Sequence, residues 1–524
     1  MTIRQRASVT AIAVWALATA LALPSALAAP STLPSTNVAW LSAAADADVE
    51  RAFSQAKAES KPVLLYWGAT WCPPCNQLKA TLFNRQDFAA QSKSFVAVYV
   101  DGDRPAAQKL GARFKVSGYP TLVLFTPTGK EITRLPGEAD APQVMTLLQA
   151  GLAGGRPIAA VLADARAGKP LSANEWRMLS FHSWEIDESG LVAKADRPAV
   201  LAELAAKSPA GDGETTTRLW LKALAASDDG KGVKPDAALR RRVQRVLADA
   251  ALARTHMDVL INGASDIVKV LSSDDSAERA PLVAQFEAAL ARLQADATLS
   301  RGDRVSALIA RVELARLGQA KDATKPTLPP ALVQEVREMS ARMEREISDG
   351  YERMAVITAV AYLQGQAGLW TDSDALLKAN LAKALSPYYL MSQLGSNAKK
   401  LGKKDEALRW YQQAYDTSEG PATRLQWGAS YLTALIDLAP ADAARIEKTA
   451  AKLFAEAALD KGAFHERSAR SLQRVGKKLG SWNADGKHAA ALERLQAQLD
   501  GVCAKVDAAD GQRATCTAVL PRKS

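Results

Sequence analysis

Apolar residues follow two regimes along the chain. In the first part they form short dense runs. Val63-Leu64-Leu65-Tyr66-Trp67 is one, and Phe95-Val96-Ala97-Val98-Tyr99-Val100, closed by Asp101, is another. Runs of this length, without polar alternation, predict strands buried on both faces of a parallel sheet. The stretch Gly151-Leu152-Ala153-Gly154-Gly155-Arg156-Pro157 breaks the pattern and predicts a linker over 152–157. Beyond it the chain is rich in Ala, Leu, Arg and Glu, and apolar residues recur at helical spacing. Leu282, Phe286, Leu290 and Leu293 share one helix face, and Val305, Leu308, Ile309 and Val312 another. Helix is expected to dominate across 158–500.

The first residues carry a different pattern. Arg4 and Arg6 precede an apolar stretch from Val9 to Leu23, and Ala26-Leu27-Ala28 fits a signal-peptidase site. A signal peptide over 1–28 is expected, followed by an N-terminal linker over 29–45. The apolar stretch is short for a membrane span, and no later segment is apolar enough to cross a bilayer. Localisation in the periplasm, across the inner membrane, follows as the expectation.

At 524 residues the chain exceeds what one core organises, so at least two domains are expected. The net charge of +10 is mild for this length. Its basic clusters, such as Arg240-Arg241-Arg242, lie beside acidic residues in helical patterns. That pattern describes a solvated helix face, and no nucleic-acid partner is expected.

The candidate chemistry lies directly after the first apolar run, in Trp71-Cys72-Pro73-Pro74-Cys75. A strand that feeds Cys-x-x-Cys at the start of a helix is the layout of a thiol-disulfide exchange site. Cys72 would face unpaired backbone N–H groups and the positive end of the helix dipole, which favours its thiolate. Cys75, one turn on, can resolve a mixed disulfide. Pro73 and Pro74 suit the first helical positions, which have no intrahelical N–H bond to lose. A structural zinc site needs four ligands. The remaining cysteines, Cys503 and Cys516, are distant in sequence, and His182, His256, His465 and His488 show no ligand spacing. Neither a metal nor a bound cofactor is expected. Handling of copper or zinc by the reduced pair stays as a third alternative.

From Asp46 to Gly151 the chain resembles a thioredoxin-fold domain, and in particular the C-terminal soluble domain of DsbD-type thiol-disulfide interchange proteins. The parts occur in family order. A polar helix from Asp48 to Glu59 leads to the strand that begins near Lys61. The Cys-x-x-Cys helix carries Leu78 and Leu82 on one face. A helix from Ala106 to Phe114 precedes Val116-Ser117-Gly118-Tyr119-Pro120-Thr121. The strand Leu122–Phe125, the turn at 126–129, a last strand from Glu131 to Leu135 and a last helix from Ala141 to Gln149 complete the set. The resemblance implies a mixed central sheet flanked by helices over 46–151. It implies a cis peptide bond before Pro120, which would face the cysteines and expose the Tyr119 backbone to an extended client. It also implies that Trp71 forms a flat apolar wall beside the nucleophile. The chain departs from thioredoxin at two places. Tyr66 stands where thioredoxin has a buried Asp, and the strand Val96–Val100 lacks thioredoxin's lysine. Deprotonation of Cys75 is then left to water, to the client or to another carboxylate, with Glu138 as a candidate.

In an oxidising compartment Cys503 and Cys516 are expected to form a structural disulfide in the C-terminal tail, 501–524. A loop of about 15 residues closed this way contributes about 3 kcal/mol in the chain-entropy model. The alternative is a relay pair that exchanges with Cys72 and Cys75. Within the helical part, Leu394-Gly395, Ala407, Tyr411 and Ala414 resemble a tetratricopeptide unit, and Ala375, Ala379, Ala382 and Pro387 occupy corresponding places one unit earlier. An α/β thioredoxin-like domain followed by a large all-α, tetratricopeptide-like helical-hairpin domain is therefore expected. The helical part either recruits a client or partner on a concave surface or shields the catalytic domain. Seven tryptophans are spread through it, most of them expected in the core. Two functions compete. One is an exported protein-disulfide reductase or exchange enzyme that meets disulfide-bearing clients and a dithiol electron donor. The other is a periplasmic adaptor whose function lies in the helices.

Overall fold

The computed structural model describes residues 37–520, apart from 138, 185–189, 210, 212, 228–231, 275 and 510. The signal-peptide reading of 1–28 and the Glu138 candidate lie outside these residues. Five strands are present among the described residues: β1 (Leu41–Ala43), β2 (Val63–Gly68), β3 (Val96–Asp101), β4 (Thr121–Phe125) and β5 (Glu131–Leu135). Their order in the sheet is β1-β3-β2-β4-β5. β1, β3 and β2 run parallel, and β4 and β5 are antiparallel to their neighbours. Five helices accompany them: α1 (Asp46–Ala58), α2 (Pro73–Leu78), α3 (Gln86–Gln91), α4 (Ala107–Phe114) and α5 (Ala141–Leu152).

β2 sits in the middle of the sheet with every residue buried. Its alternation divides two cores. Val63, Leu65 and Trp67 join Val98, Val100 and residues of α1 and α4 on one face. Leu64 and Tyr66 join Tyr99, Leu122 and Leu124 on the other, together with Cys75 and Leu78 of α2. That second core continues into the helical part through Tyr388, Leu408, Trp427 and Leu432. The described residues accordingly form one compact unit.

Residues 37–45, the described part of the expected linker, include a strand. β1 adds an edge strand to β3, and Trp40 is buried against Tyr66, Phe83 and Phe88. Three residues are too few to show any alternation. In the connection at 152–157, Ala153, Gly154 and Arg156 are exposed, and Gly155 lies close against the sheet. A Cβ on Gly155 would lie 2.9 Å from Ile132 and 3.0 Å from the Gly151 carbonyl.

Past Ile158 the described residues are helical, with no strand. Helix Arg279–Ala295 buries Leu282, Phe286, Leu290 and Leu293, the face its spacing predicts. Helix Arg301–Ala315 buries Val305, Leu308 and Val312. The hairpin of Pro387–Lys400 and Lys404–Thr417 turns at Gly402, whose φ is +72°. Leu394, Ala407 and Ala414 are buried between its arms, and a Cβ on Gly395 would lie 3.1 Å from the Tyr411 ring. The earlier unit differs. Ala375, Ala379 and Ala382 are exposed, and helix Trp370–Asn380 buries Ser373, Asp374, Leu376, Leu377 and Asn380 instead. The three alanines do not mediate that contact. No helix among the described residues is long and apolar enough to cross a membrane.

Cys503 and Cys516 are bonded, joining helix Ala489–Cys503 to helix Gln512–Thr517. Gln512 accepts the Phe464 N–H and donates to the Lys461 carbonyl. The Val519 carbonyl rests on Gly476, where any Cβ would overlap it. The bond thus closes the tail over the last long helices. Replacing both cysteines by alanine is expected to lower unfolding stability by about 3 kcal/mol, seen as a lower urea midpoint.

Candidate active site

Chain geometry at the end of β2 places the cysteines. Cys72 is the N-cap of α2, in extended backbone conformation, and Pro73 and Pro74 occupy the first helical turn. The Cys75 N–H donates to Cys72 Sγ at 3.2 Å, and the Cys72 carbonyl accepts the Asn76 N–H at 3.0 Å. An anionic sulfur at this place receives a backbone donor and the helix dipole. Cys72 and Cys75 are joined as a disulfide.

The Tyr119–Pro120 bond is cis. Pro73, Pro74, Tyr119 and Pro120 line one side of a cleft of about 540 Å³. The facing side comes from four helices of the helical part and includes Ile261, Ile309, Tyr362 and Tyr389. The helical part thus supplies most of the cleft wall. Ile309 shows why its helix face looked broader in sequence than its core side: it is only half-buried and lines this cleft.

Trp71 is placed differently from an open wall. It is 5 % exposed, and its flat face is already occupied. Tyr389 stacks on it with centroids 5.9 Å apart, and Trp427 meets it edge-on at 5.9 Å. The Arg467 guanidinium lies 4.4 Å from its ring centroid and 4.9 Å from that of Tyr119. The Trp71 indole N–H donates to Asp103 Oδ2 at 2.6 Å. Gln108 bridges the two parts: its side-chain amide donates to the Tyr119 hydroxyl, and its carbonyl oxygen accepts the Arg467 N–H. Under this cover Cys72 is 2 % exposed and Cys75 0 %.

Sequence reasoning missed Asp103, Lys79, Tyr389 and Arg467. The last two lie hundreds of residues from Cys72, and no local pattern ties them to it. Trp427 belonged to the scattered tryptophans, without a signal that singled it out. Lys79 was visible as a charge on the otherwise apolar side of the Cys-x-x-Cys helix, between Leu78 and Leu82.

Burial and the neighbouring Asp101 push the Asp103 carboxyl up to about 7, while Arg467 and the Trp71 indole oppose the shift. In the folded state Asp103 therefore holds its proton through a range in which the unfolded chain has lost it. It binds more protons folded than unfolded between about pH 4 and 7, so its contribution to stability falls as pH rises through that window. Asp103→Asn keeps an acceptor for Trp71 without the charge. The stability difference between this variant and wild type is expected to grow in the variant's favour from about pH 5 to about pH 8, measured by urea denaturation at each pH.

Comparison with known proteins finds similarity to thioredoxin-like proteins. Residues 49–152 match the family model of a thioredoxin-like domain. The thiol:disulfide interchange protein DsbD 2 of Pseudomonas aeruginosa is 34 % identical over 111 residues, covering 20 % of this chain and 19 % of that protein. DsbD 1 of the same organism is 31 % identical over 112 residues, covering 21 % and 19 %. DsbD of Cronobacter sakazakii is 33 % identical over 105 residues, covering 19 % and 18 %. The chain thus spans about a fifth of the length of these relatives. Among solved structures, a thioredoxin from Thermus thermophilus is 26 % identical, covers 22 % of this chain and 85 % of its own, and has a TM-score of 0.19. Residues 49–152 are a thioredoxin-like domain, and the family match ends before the large helical region.

Proposed function

We propose that the chain is an exported thiol-disulfide oxidoreductase that reduces or exchanges disulfides of client proteins through Cys72 and Cys75. The observation that carries this reading is the bonded Cys72–Cys75 pair at a helix N-terminus in a thioredoxin-like domain. Export rests on the pattern of the first 28 residues, and the electron source is a separate dithiol. An external dithiol reduces the pair. Cys72 thiolate then attacks a client disulfide, and one client sulfur leaves as thiolate while the other becomes bonded to Cys72. Cys75 attacks Cys72 Sγ, restores the intramolecular bond and releases the second client sulfur. Two electrons pass from the dithiol to the client.

The cleft between Pro73–Pro74, Tyr119–Pro120 and the helical part is the client's approach, with Tyr119 and Pro120 its contact residues on the thioredoxin side and Trp71 joining them once its cover has shifted. Because the cysteines are covered, the helices at Tyr389, Trp427 and Arg467 must shift before a client sulfur reaches Cys72. The expected activity is reduction of insulin disulfides by dithiothreitol at a rate above the uncatalysed one, followed by precipitation of the free B chain. A rate equal to background in the properly folded chain opposes the reading.

The same cover favours one other reading, an adaptor in which the helices carry the function and the thioredoxin domain is locked in its oxidised form. In that case a Cys72→Ser/Cys75→Ser variant retains partner binding and full function in a deletion strain.

A further inference from the structure

Cys75 reacts from a site that solvent does not reach. It is 0 % exposed, between α2 and the sheet face that carries Tyr66 and Tyr99. As a thiol it must lose a proton before it can attack Cys72, and burial in apolar surroundings raises the cost of forming its thiolate. Lys79 follows it by one helical turn. The Lys79 backbone N–H bonds to the Cys75 carbonyl, so the two side chains leave the same helix face with Cβ atoms about 5–6 Å apart. Lys79 is also 0 % exposed, and its Nζ has no hydrogen-bond partner among the described residues. A buried amine without a partner is costly to keep charged.

Its surroundings come from three directions. From the helical part, the Tyr351 ring lies 4.9 Å from Nζ. From the end of β3, Asp101 is the charged group that acts on it, with Asp103 and Arg104 beyond. On the sheet, the hydroxyls of Tyr66 and Tyr99 are buried and likewise without hydrogen-bond partners among the described residues. Burial lowers the Lys79 amine to about 8, against the pull of Asp101. A lysine in that range is neutral often enough near neutral pH to take up a proton.

We propose that Lys79 is the proton acceptor for Cys75 in the step that resolves the mixed disulfide. This rests on the exchange reading above. The Cys75 S–H bond breaks, and its proton moves to the Lys79 amine. The Cys75 thiolate forms a bond to Cys72 Sγ, the Cys72–client bond breaks, and the client sulfur leaves as thiolate. The Lys79 ammonium returns its proton to that thiolate or to water. In the reverse direction, Lys79 ammonium protonates Cys75 as the intramolecular bond opens.

The test uses the full reduced chain and the aromatic disulfide 5,5′-dithiobis(2-nitrobenzoate) in stopped flow. The first released thiolate reports attack by Cys72, and the second reports resolution by Cys75. In Lys79→Met the second phase is expected to slow about 100-fold near pH 7 and to recover as pH is raised. Lys79→Arg keeps the charge but stays protonated, and is expected to be slow as well. A second phase as fast in either variant as in wild type overturns the inference. If both variants fail to fold, wild type decides. A second phase that levels off above about pH 8 supports an internal acceptor, and one that climbs tenfold per unit through about pH 9 overturns it. Absence of any Cys72-dependent first phase would instead refute the exchange reading itself.

Discussion

Cys72→Ser is expected to lower insulin-disulfide reduction by at least about 1000-fold, to the uncatalysed rate, while leaving the fold intact. The sulfur removed is the one held at the start of α2, with the Cys75 N–H donating to it at 3.2 Å. Serine occupies nearly the same volume, so packing around Trp71 and Tyr389 is kept. Its hydroxyl, however, neither ionises near neutral pH nor forms a disulfide. No other cysteine can substitute, because Cys503 and Cys516 are bonded to each other and buried among the C-terminal helices. Cys75→Ser should behave differently. It retains attack by Cys72 and loses resolution, so it accumulates an adduct and fails to turn over. Catalysis of insulin reduction by Cys72→Ser at a rate near wild type would mean that the pair is structural.

The second large effect concerns the cover. In the closed arrangement, Trp427 and Arg467 hold the helical part on Trp71, and Arg467 also lies over Tyr119. An aromatic edge contact contributes about 1 kcal/mol, and a desolvated cation–π contact up to about 2 kcal/mol. The contacts share Trp71, so their energies do not simply add. Loss of about 2 kcal/mol corresponds to about thirtyfold in the population of an opened form. Trp427→Ala/Arg467→Ala is therefore expected to speed alkylation of reduced Cys72 by iodoacetamide about thirtyfold. The intrinsic reactivity of the thiolate, set by α2, is not touched by these changes. An unchanged alkylation rate, in a variant whose helical content is preserved, would show that contacts other than these limit access.

The two effects separate what local sequence encodes from what only the folded chain reveals. β2 was legible because a central strand covered on both faces must be apolar throughout, as Val63–Trp67 is. The placement of Cys72 was legible because a strand-like run feeds it and Pro-Pro after it suits the first turn of a helix. β1 was not legible, since Leu41–Ala43 gains its structure from pairing with β3 rather than from its own pattern. The earlier helical unit misled because alanines mark close packing only when they face a neighbour, and Ala375 and Ala379 face solvent. The cover over the cysteines could not be read at all. Trp71 looks like an open wall until Tyr389, Trp427 and Arg467 are brought to it by the path of the helices. Lys79 is an intermediate case. Its spacing from Cys75 is written in the sequence, but its burial depends on Tyr351 from a helix far along the chain.

The measurement that tests the central claim most directly is a mixed-disulfide trap. Cys75→Ser is expressed with its own N-terminal segment, and thiol-linked adducts are resolved on non-reducing gels and identified by mass spectrometry, beside Cys72→Ser/Cys75→Ser. The exchange reading predicts adducts that run through Cys72, disappear on reduction and are absent from the double variant. No adduct in Cys75→Ser, together with partner binding by the double variant as strong as wild type, would contradict it and assign the function to the helices.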